Sequence, residues 1–186
     1  VLHGEKVPAS EKLFSIFETH ADIIKKGGRE AVYGHKVFIS CGRSPLITDC
    51  FVAQGNPSDE SKFRPMLERH QRRFGSMPEK AAFDSGFASK KNVEWAKGEA
   101  EIKQLGLPRQ SWVQIEELVS SAWIYRQLKR FRAGVEGCIS FFKRVFGGGR
   151  CTWKGRRRFN RYVQLSVLGL NLVVLARLKL KRQAAG

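Results

Sequence analysis

The sequence predicts an α/β layered domain, on three observations. Its first half carries short runs rich in β-branched and aromatic residues, separated by turn formers. Its second half switches to an apolar spacing of three and four residues, held over a long stretch. Between the two, a short apolar run ends in an acid and a glycine. Strands followed by a helical half point to helices layered on strands. A chain of 186 residues is long enough for one domain with a sizeable core.

The elements follow in order. Residues 1–20 show no clear element start, although Leu13, Ile16 and Phe17 have the spacing of a short amphipathic turn. The chain reads as beginning mid-structure. AVYGHKVFISC (31–41) and LITDCFVAQ (46–54) are strand-like, and the turn formers GRSP between them make the pair a β-hairpin. GNPSDES (55–61) ends the second strand and offers Ser58 or Asp59 as a helix cap. A helix to about Phe74 follows, with Pro65 expected to kink it or delay its start. PEKAAFDSGFAS (78–89) reads as a short strand ending in Asp84 and a glycine turn, before a helix from about Ser89 to Lys97. Residues 98–110 show no convincing strand. A long helical region follows, in which Ile124, Leu128, Phe131, Val135, Cys138, Phe142 and Val145 step alternately by four and three. GGGRCTWKGRRR interrupts it, and VQLSVLGLNLVVLARL (163–178) closes the chain as an apolar helix. Gln164, Ser166, Asn171 and Arg177 lie within that run, which falls short of the roughly 20 apolar residues a membrane span needs. It is expected to be a buried core helix, with no membrane involved.

Charge narrows the function. Lys and Arg number 34 against 17 acids, a formal net charge of +17. That surplus favours a polyanionic partner, of which nucleic acid is the commonest. A ribosomal-type basic protein and an anionic membrane surface are the other classes it allows. At 42% hydrophobic residues the chain is not a disordered basic tail. Cys41, Cys50, Cys138 and Cys151 form no CxxC pair, and His3, His20, His35 and His70 are scattered. Neither a Cys/His metal site nor a disulfide framework is supported, so the thiols are expected buried and reduced in the cytoplasm. No signal-peptide pattern opens the sequence.

The acids are few enough to be informative. Only Asp22, Asp49, Asp59 and Asp84 are aspartates. Asp84 ends the strand KAAFD, and the carboxyl end of a buried strand is where open α/β sheets place ligands. Gly86 just beyond it lets a partner's backbone come close. An ordinary cap of the following helix would put an aspartate there as readily. From Leu118 to Gly186 there are sixteen Lys and Arg but one acid, Glu136. On a helix turning about 100° per residue, Lys129, Arg132, Glu136 and Lys143 share a narrow stripe bordering the apolar face. Neighbouring cations favour the ionised carboxylate, the state a metal ligand requires. Gly134 and Gly137 flank Glu136 at a cost of roughly 1 kcal/mol each, which suggests close approach by a sheet, a metal or a phosphate backbone. A plain i, i+4 salt bridge on a solvated face is the alternative.

Two motifs then coincide. FDSGFAS around Asp84 resembles the second-aspartate motif of DDE transposases from bacterial insertion sequences. R-x3-E-x6-K, here Arg132, Glu136 and Lys143, resembles their glutamate signature. YGHKVFIS (33–40) and QGNPSDES (54–61) resemble the second- and third-strand region of that family. RCTWKG (150–155) and NLVVLAR (171–177) resemble its ISNCY-like branch. Lys129 stands where the signature often has tyrosine.

The resemblance implies an RNase H-like mixed sheet flanked by helices, here lacking its opening strand. It also implies three carboxylates that hold two Mg2+ (or Mn2+) ions. Asp84 and Glu136 are the implied catalytic metal ligands; the first aspartate is expected to be missing here, since Asp22, the one acid that could occupy its place, sits in a stretch that resembles a segment after the catalytic strand. Residues 1–30 are then a connecting segment and 31–146 a partial catalytic domain. Residues 147–186 form a basic segment and an apolar helix packing on the same domain. Arg132, Lys143, Lys154, Arg156, Arg157, Arg158 and Arg161 are expected to bind phosphate, with Trp153, Phe159 and Tyr162 interleaved. The expected partner is double-stranded DNA, both transposon ends and target, in the bacterial cytoplasm at the nucleoid. A homodimer is the expected form of any assembly. A truncated transposase is the leading reading, and a non-catalytic basic nucleic-acid-binding protein is the other.

Overall fold

A computed structural model of the chain describes residues 21–24 and 32–184. The amphipathic turn expected at Leu13, Ile16 and Phe17 lies outside the described residues. Among the described residues, six strands and five helices make a mixed α/β architecture. β1 (Asp22–Ile24) pairs antiparallel with β2 (Val32–Gly34). β3 (Val37–Cys41) and β4 (Ile47–Val52) form the expected hairpin, with Phe38 opposite Phe51 and Ile39 opposite Cys50. The strand expected over 31–41 is thus broken at His35 and Lys36. Lys36 accepts at its C=O from the Ala53 N–H at 2.9 Å, and its ammonium meets the Pro57 C=O and the Asp59 carboxylate.

The described strands join in three two-stranded sheets, not in the single mixed sheet the sequence predicts. β3 meets the 3-10 turn Ser85–Phe87 through side chains instead of a backbone ladder, Phe38 lying edge-on to Phe87 at 6.1 Å.

Helix α1 (Phe63–Phe74) follows a 3-10 turn at Glu60–Lys62. Of the two candidate caps Ser58 acts, its Oγ accepting from the Ser61 N–H at 3.3 Å, while Asp59 turns to Lys36. Pro65 is the third residue of α1, where a missing N–H costs no intrahelical bond. The helix therefore starts ahead of the proline. Gly75 ends it in the left-handed conformation at φ 81°, donating to the Gln71 C=O.

β5 (Lys80–Ala82), α2 (Lys90–Gly98) and β6 (Gln104–Gly106) make a parallel βαβ unit. β6 corrects the sequence reading, which saw no strand over 98–110. Three residues are too few to show alternation, and one of them is glycine. The strand forms because Leu105 is fully buried between its neighbours and because Gly106 admits the next long helix. A Cβ on Gly106 would lie 2.7 Å from the Leu128 Cβ.

After the short α3 (Ile115–Leu118), α4 (Ala122–Val145) reaches from one core cluster to another, capped by Ser121. Its Leu128 enters a core with Phe63, Leu67, Ile102 and Leu105, while Cys138 and Phe142 enter a second with Ile47, Cys50, Val167 and Leu170. Val145, the last member of the expected stripe, is exposed. All four cysteines are free thiols. Burial first, then the Cys138 thiol, pushes Cys41 up to about 12; burial and then the Asp49 charge do the same to Cys50.

α5 (Arg156–Gln183) packs on β4. By length and composition it could cross a membrane. The expected buried core helix holds for one face only, Val163, Val167, Leu170 and Val174. Its polar residues bond the outer edge of β4. The Asn171 amide donates to the Ile47 C=O and accepts from the Ile47 N–H, both at 2.9 Å. Gln164 donates to the Cys50 C=O at 3.1 Å and Arg156 to the Ala53 C=O at 3.4 Å. Seven helical residues advance about 10.5 Å and three strand residues about 10 Å, so the two ladders stay in step. Side chains of a helix thus take the place of a further strand on this edge.

Asp49 is the one buried charge among the described residues, 6% exposed. Arg69 donates to both its oxygens, at 2.6 and 2.8 Å, and Arg73 adds a bond of 2.8 Å. Burial acts to raise the Asp49 pKa, but the Arg69 hydrogen bonds, then the Arg69 and Arg73 charges, outweigh it and hold the carboxyl below its ordinary value. A depressed folded-state pKa stabilises above the unfolded-state value, and the gain is lost as pH falls through the folded-state one. Asp49→Asn is therefore expected to be about 1–2 kcal/mol less stable than wild type near pH 7, allowing for the half-exposed arginines. The difference is expected to close as pH drops below about 4. Urea midpoints of both proteins across that range check it.

Candidate functional site

Asp84 stands two residues past β5, at the carboxyl end of a parallel strand. Its Oδ1 accepts from the Ser85 N–H at 2.8 Å and opens the 3-10 turn Ser85–Phe87. It is thus a cap as well as a surface acid, while Ser89 caps α2. The turn is clamped from two sides. The Asn92 amide donates to the Glu60 C=O at 3.0 Å and to the Phe87 C=O at 2.9 Å. A Cβ on Gly86 would lie 2.7 Å from the Asp59 Oδ2. What approaches Gly86 is therefore a carboxylate of the same chain, where the sequence pointed to a partner's backbone.

α4 supplies the second acid. Leu128 seats the helix on Gly106; Arg132 is one turn further on and Glu136 one turn beyond that. Nη1 of Arg132 donates to the Asp84 Oδ1 at 3.3 Å and also to the Glu136 Oε1. Two carboxylates touching one nitrogen have those oxygens within about 6.5 Å of each other, from ordinary hydrogen-bond lengths. Asp84 and Glu136 are 65% and 59% exposed, and Arg132 is 26% exposed. Exposed ion pairs contribute only about 0–1 kcal/mol, so this convergence does little for stability.

The rest of the α4 stripe behaves differently. Lys129 and Lys143 are exposed and make no ion pair among the described residues. Gly134 and Gly137 face open space, with nothing of the chain within 4 Å of a built Cβ, so no sheet approaches them. Asp22, in β1, lies 3.7 Å from the His35 Nδ1 and contacts neither Asp84 nor Glu136.

Among the described residues no group of three or more His, Cys, Asp or Glu is placed to hold a metal ion. The two-acid pair nevertheless suits a hard divalent cation. Its donors are carboxylate oxygens, already gathered about one cationic nitrogen. Asp84 Oδ2 and Glu136 Oε2 are unengaged among the described residues.

Of the basic tract, Lys154 lies in the loop and Arg156, Arg157, Arg158 and Arg161 in the first turns of α5. Lys154, Arg158 and Arg161 line one open groove with Trp153, which meets Tyr162 edge to face at 5.5 Å. Arg156 and Arg157 line another of about 610 Å³ with Arg69, Asn160 and Gln164. Cations at a helix N-terminus oppose its dipole, and a nearby anion relieves both. A series of contacts links this end of α5 to the acids. Arg156 touches Ala53, Ala53 bonds Lys36, Lys36 pairs with Asp59, and Asp59 abuts Gly86. Arg69 and Asn92 escaped the sequence reading, and Asp59 entered it only as a candidate helix cap, since no local spacing marks any of them for this place.

The family model for the transposase DDE domain matches residues 10–172. No curated protein and no solved structure matches the chain.

Proposed function

The chain belongs to the transposase DDE domain family, and from that premise we propose that it supplies two of the three carboxylates with which such a transposase cuts and joins DNA strands by metal-assisted phosphoryl transfer. Transposition and DNA recombination go with the family; the assignment of individual residues is our reading. The observation that carries it is the single Arg132 nitrogen held between Asp84 and Glu136, acids from different elements and far apart in sequence. The βαβ unit with α4 across it supports an RNase H-like arrangement.

Asp84 and Glu136 would hold Mg2+ or Mn2+. Such an ion, when bound, supplies charge stabilisation to the oxygens that enter and leave in an in-line displacement. The residues around the pair orient it. The Ser85 N–H and the clamped turn fix Asp84, and α4 fixes Glu136. Arg132 pairs with both carboxylates, and its planar fork matches a DNA phosphate. Lys143, two turns beyond Glu136 on the same stripe, reaches the backbone further on. Lys154, Arg156, Arg157, Arg158 and Arg161 grip double-stranded DNA, transposon end or target, through its phosphates and without reading sequence. We place this activity in the bacterial cytoplasm.

Metal-dependent nicking of DNA carrying transposon ends by the domain with its first aspartate supplied, measured alongside DNA affinity, tests the reading. Asp84→Asn that binds DNA but no longer nicks supports it; a variant that nicks like wild type refutes the metal assignment. The phosphate grip has its own signature. Arg157→Ala is expected to weaken binding equally on unrelated DNA sequences and to lower the slope of log affinity against log salt by about one. Fluorescence anisotropy across a salt series reads that slope.

A further inference from the structure

Asp59 occupies a capping position and does not cap. It precedes the 3-10 turn Glu60–Lys62 with helical backbone angles, φ −62° and ψ −39°, and among the described residues no N–H of that turn bonds its side chain. An aspartate in such a place ordinarily stabilises the turn it opens. Here Oδ1 lies 2.7 Å from the Lys36 ammonium instead. The rest of the side chain lies over the bare α-carbon of Gly86, with Oδ2, Cβ and Cγ at 2.7, 3.2 and 3.3 Å from an ideal Cβ. Gly86 is the middle residue of the turn that Asp84 opens. We propose that Lys36 and Asp59 form a positioning pair for Asp84. The ammonium holds the Asp59 carboxylate against Gly86, and that contact sets where the Asp84 carboxylate stands relative to Glu136.

Lys36 is tied at both ends. Its C=O accepts from the Ala53 N–H at 2.9 Å, and its ammonium donates to the Pro57 C=O at 2.8 Å. The same ammonium lies 5.5 Å from the centre of the Phe38 ring, and the side chain is 19% exposed. A lysine free in solvent gives up rotamer entropy to hold any partner, whereas one already fixed by packing and a second bond holds its partner at little further cost. The contact with Gly86 depends on that hold. A carboxylate at the end of a free side chain turns aside when a methyl group arrives; one tethered to a fixed ammonium does not. Asn92 grips the same turn from the far side through the Phe87 C=O, so Asp84 projects from a support fixed at two points. Residues that support a metal ligand without touching the ion govern its affinity by about 10–100-fold. That consequence rests on the assignment of Asp84 as a metal ligand above, but the positioning of Asp84 does not. An ion pair that merely joined two turns would act on stability alone.

Two measurements on the whole chain test the pair, the first without metal. Hydrogen exchange by NMR follows the Ser85 amide, which donates to the Asp84 Oδ1. Lys36→Met keeps the stem and removes the charge. It is expected to speed exchange at Ser85 about threefold or more, and to leave the core Ile102 amide, bonded to the Ala96 C=O, unchanged. The second measurement is Mn2+ affinity by electron paramagnetic resonance. Lys36→Met and Gly86→Ala are each expected to weaken it about tenfold or more. Combined, they are expected to cost no more than either alone, because an Asp59 released by Lys36 yields to the new methyl group. Should Lys36→Met misfold, Asp59→Ala takes its place in both measurements. Ser85 exchange that neither Lys36→Met nor Asp59→Ala changes overturns the proposal. So does Mn2+ binding that is lost in Asp84→Asn yet indifferent to Lys36→Met, and so do losses from Lys36→Met and Gly86→Ala that add in full, the mark of independent contacts. If Ser85 exchange responds while wild type takes up no Mn2+, the positioning pair stands and the metal assignment of Asp84 falls.

Discussion

With the family's first aspartate supplied, Asp84→Asn and Glu136→Gln are each expected to lower metal-dependent DNA strand cleavage by at least about 1,000-fold, roughly 4 kcal/mol of transition-state stabilisation. Each substitution keeps the shape of the side chain and removes one anionic oxygen donor. Both residues are exposed, and their pairing with Arg132 adds little to the fold, so melting temperatures are expected to move by less than the equivalent of about 0.5 kcal/mol. DNA affinity is expected to hold or rise slightly, because a negative charge leaves a surface that binds a polyanion. Loss of cleavage with intact folding and binding separates catalytic acids from structural ones. A protein that only grips DNA would pass both substitutions without change.

Asn171→Leu is expected to destabilise the fold by about 2–4 kcal/mol. The amide satisfies both backbone groups of Ile47, a residue 5% exposed. Leucine has similar bulk but leaves an N–H and a C=O unpaired in a part-buried place, at about 1–3 kcal/mol each. The added apolar surface offsets some of this. For a chain of this size the melting temperature is expected to fall by roughly 5–12 °C. Gln164→Leu removes one bond, to the Cys50 C=O, and is expected to cost about half as much. Thermal melts followed by circular dichroism compare the three proteins. A stabilised Asn171→Leu would mean that α5 is held to β4 by its apolar face alone.

What the sequence showed and what it hid divide along the range of the interactions. The β3–β4 hairpin, α1 and the long α4 were legible because turn formers, caps and apolar spacing act within a few residues. β6 was not, since its strand state comes from pairing with β5 and from Gly106 yielding to Leu128. The break at His35 and Lys36 depends on Pro57, Ala53 and Asp59, which no run of β-branched residues reveals. Gln164 and Asn171 looked like flaws in an apolar helix until the edge of β4 was known. The site divides in the same way. Asp84 and Glu136 stood out as motifs, one at a strand end and one as the lone acid in a basic half. Their joining through Arg132 rests on how α4 crosses the ends of β5 and β6, and the Asp59 and Asn92 clamp beneath Asp84 rests on the meeting of two 3-10 turns.

Direct titration of the protein with Mn2+, following free ion by electron paramagnetic resonance, addresses the metal assignment without depending on turnover. Wild type is expected to show a saturable site that weakens sharply in Asp84→Asn and again in Glu136→Gln. Equal uptake by all three proteins, or no saturable uptake by wild type, would contradict it.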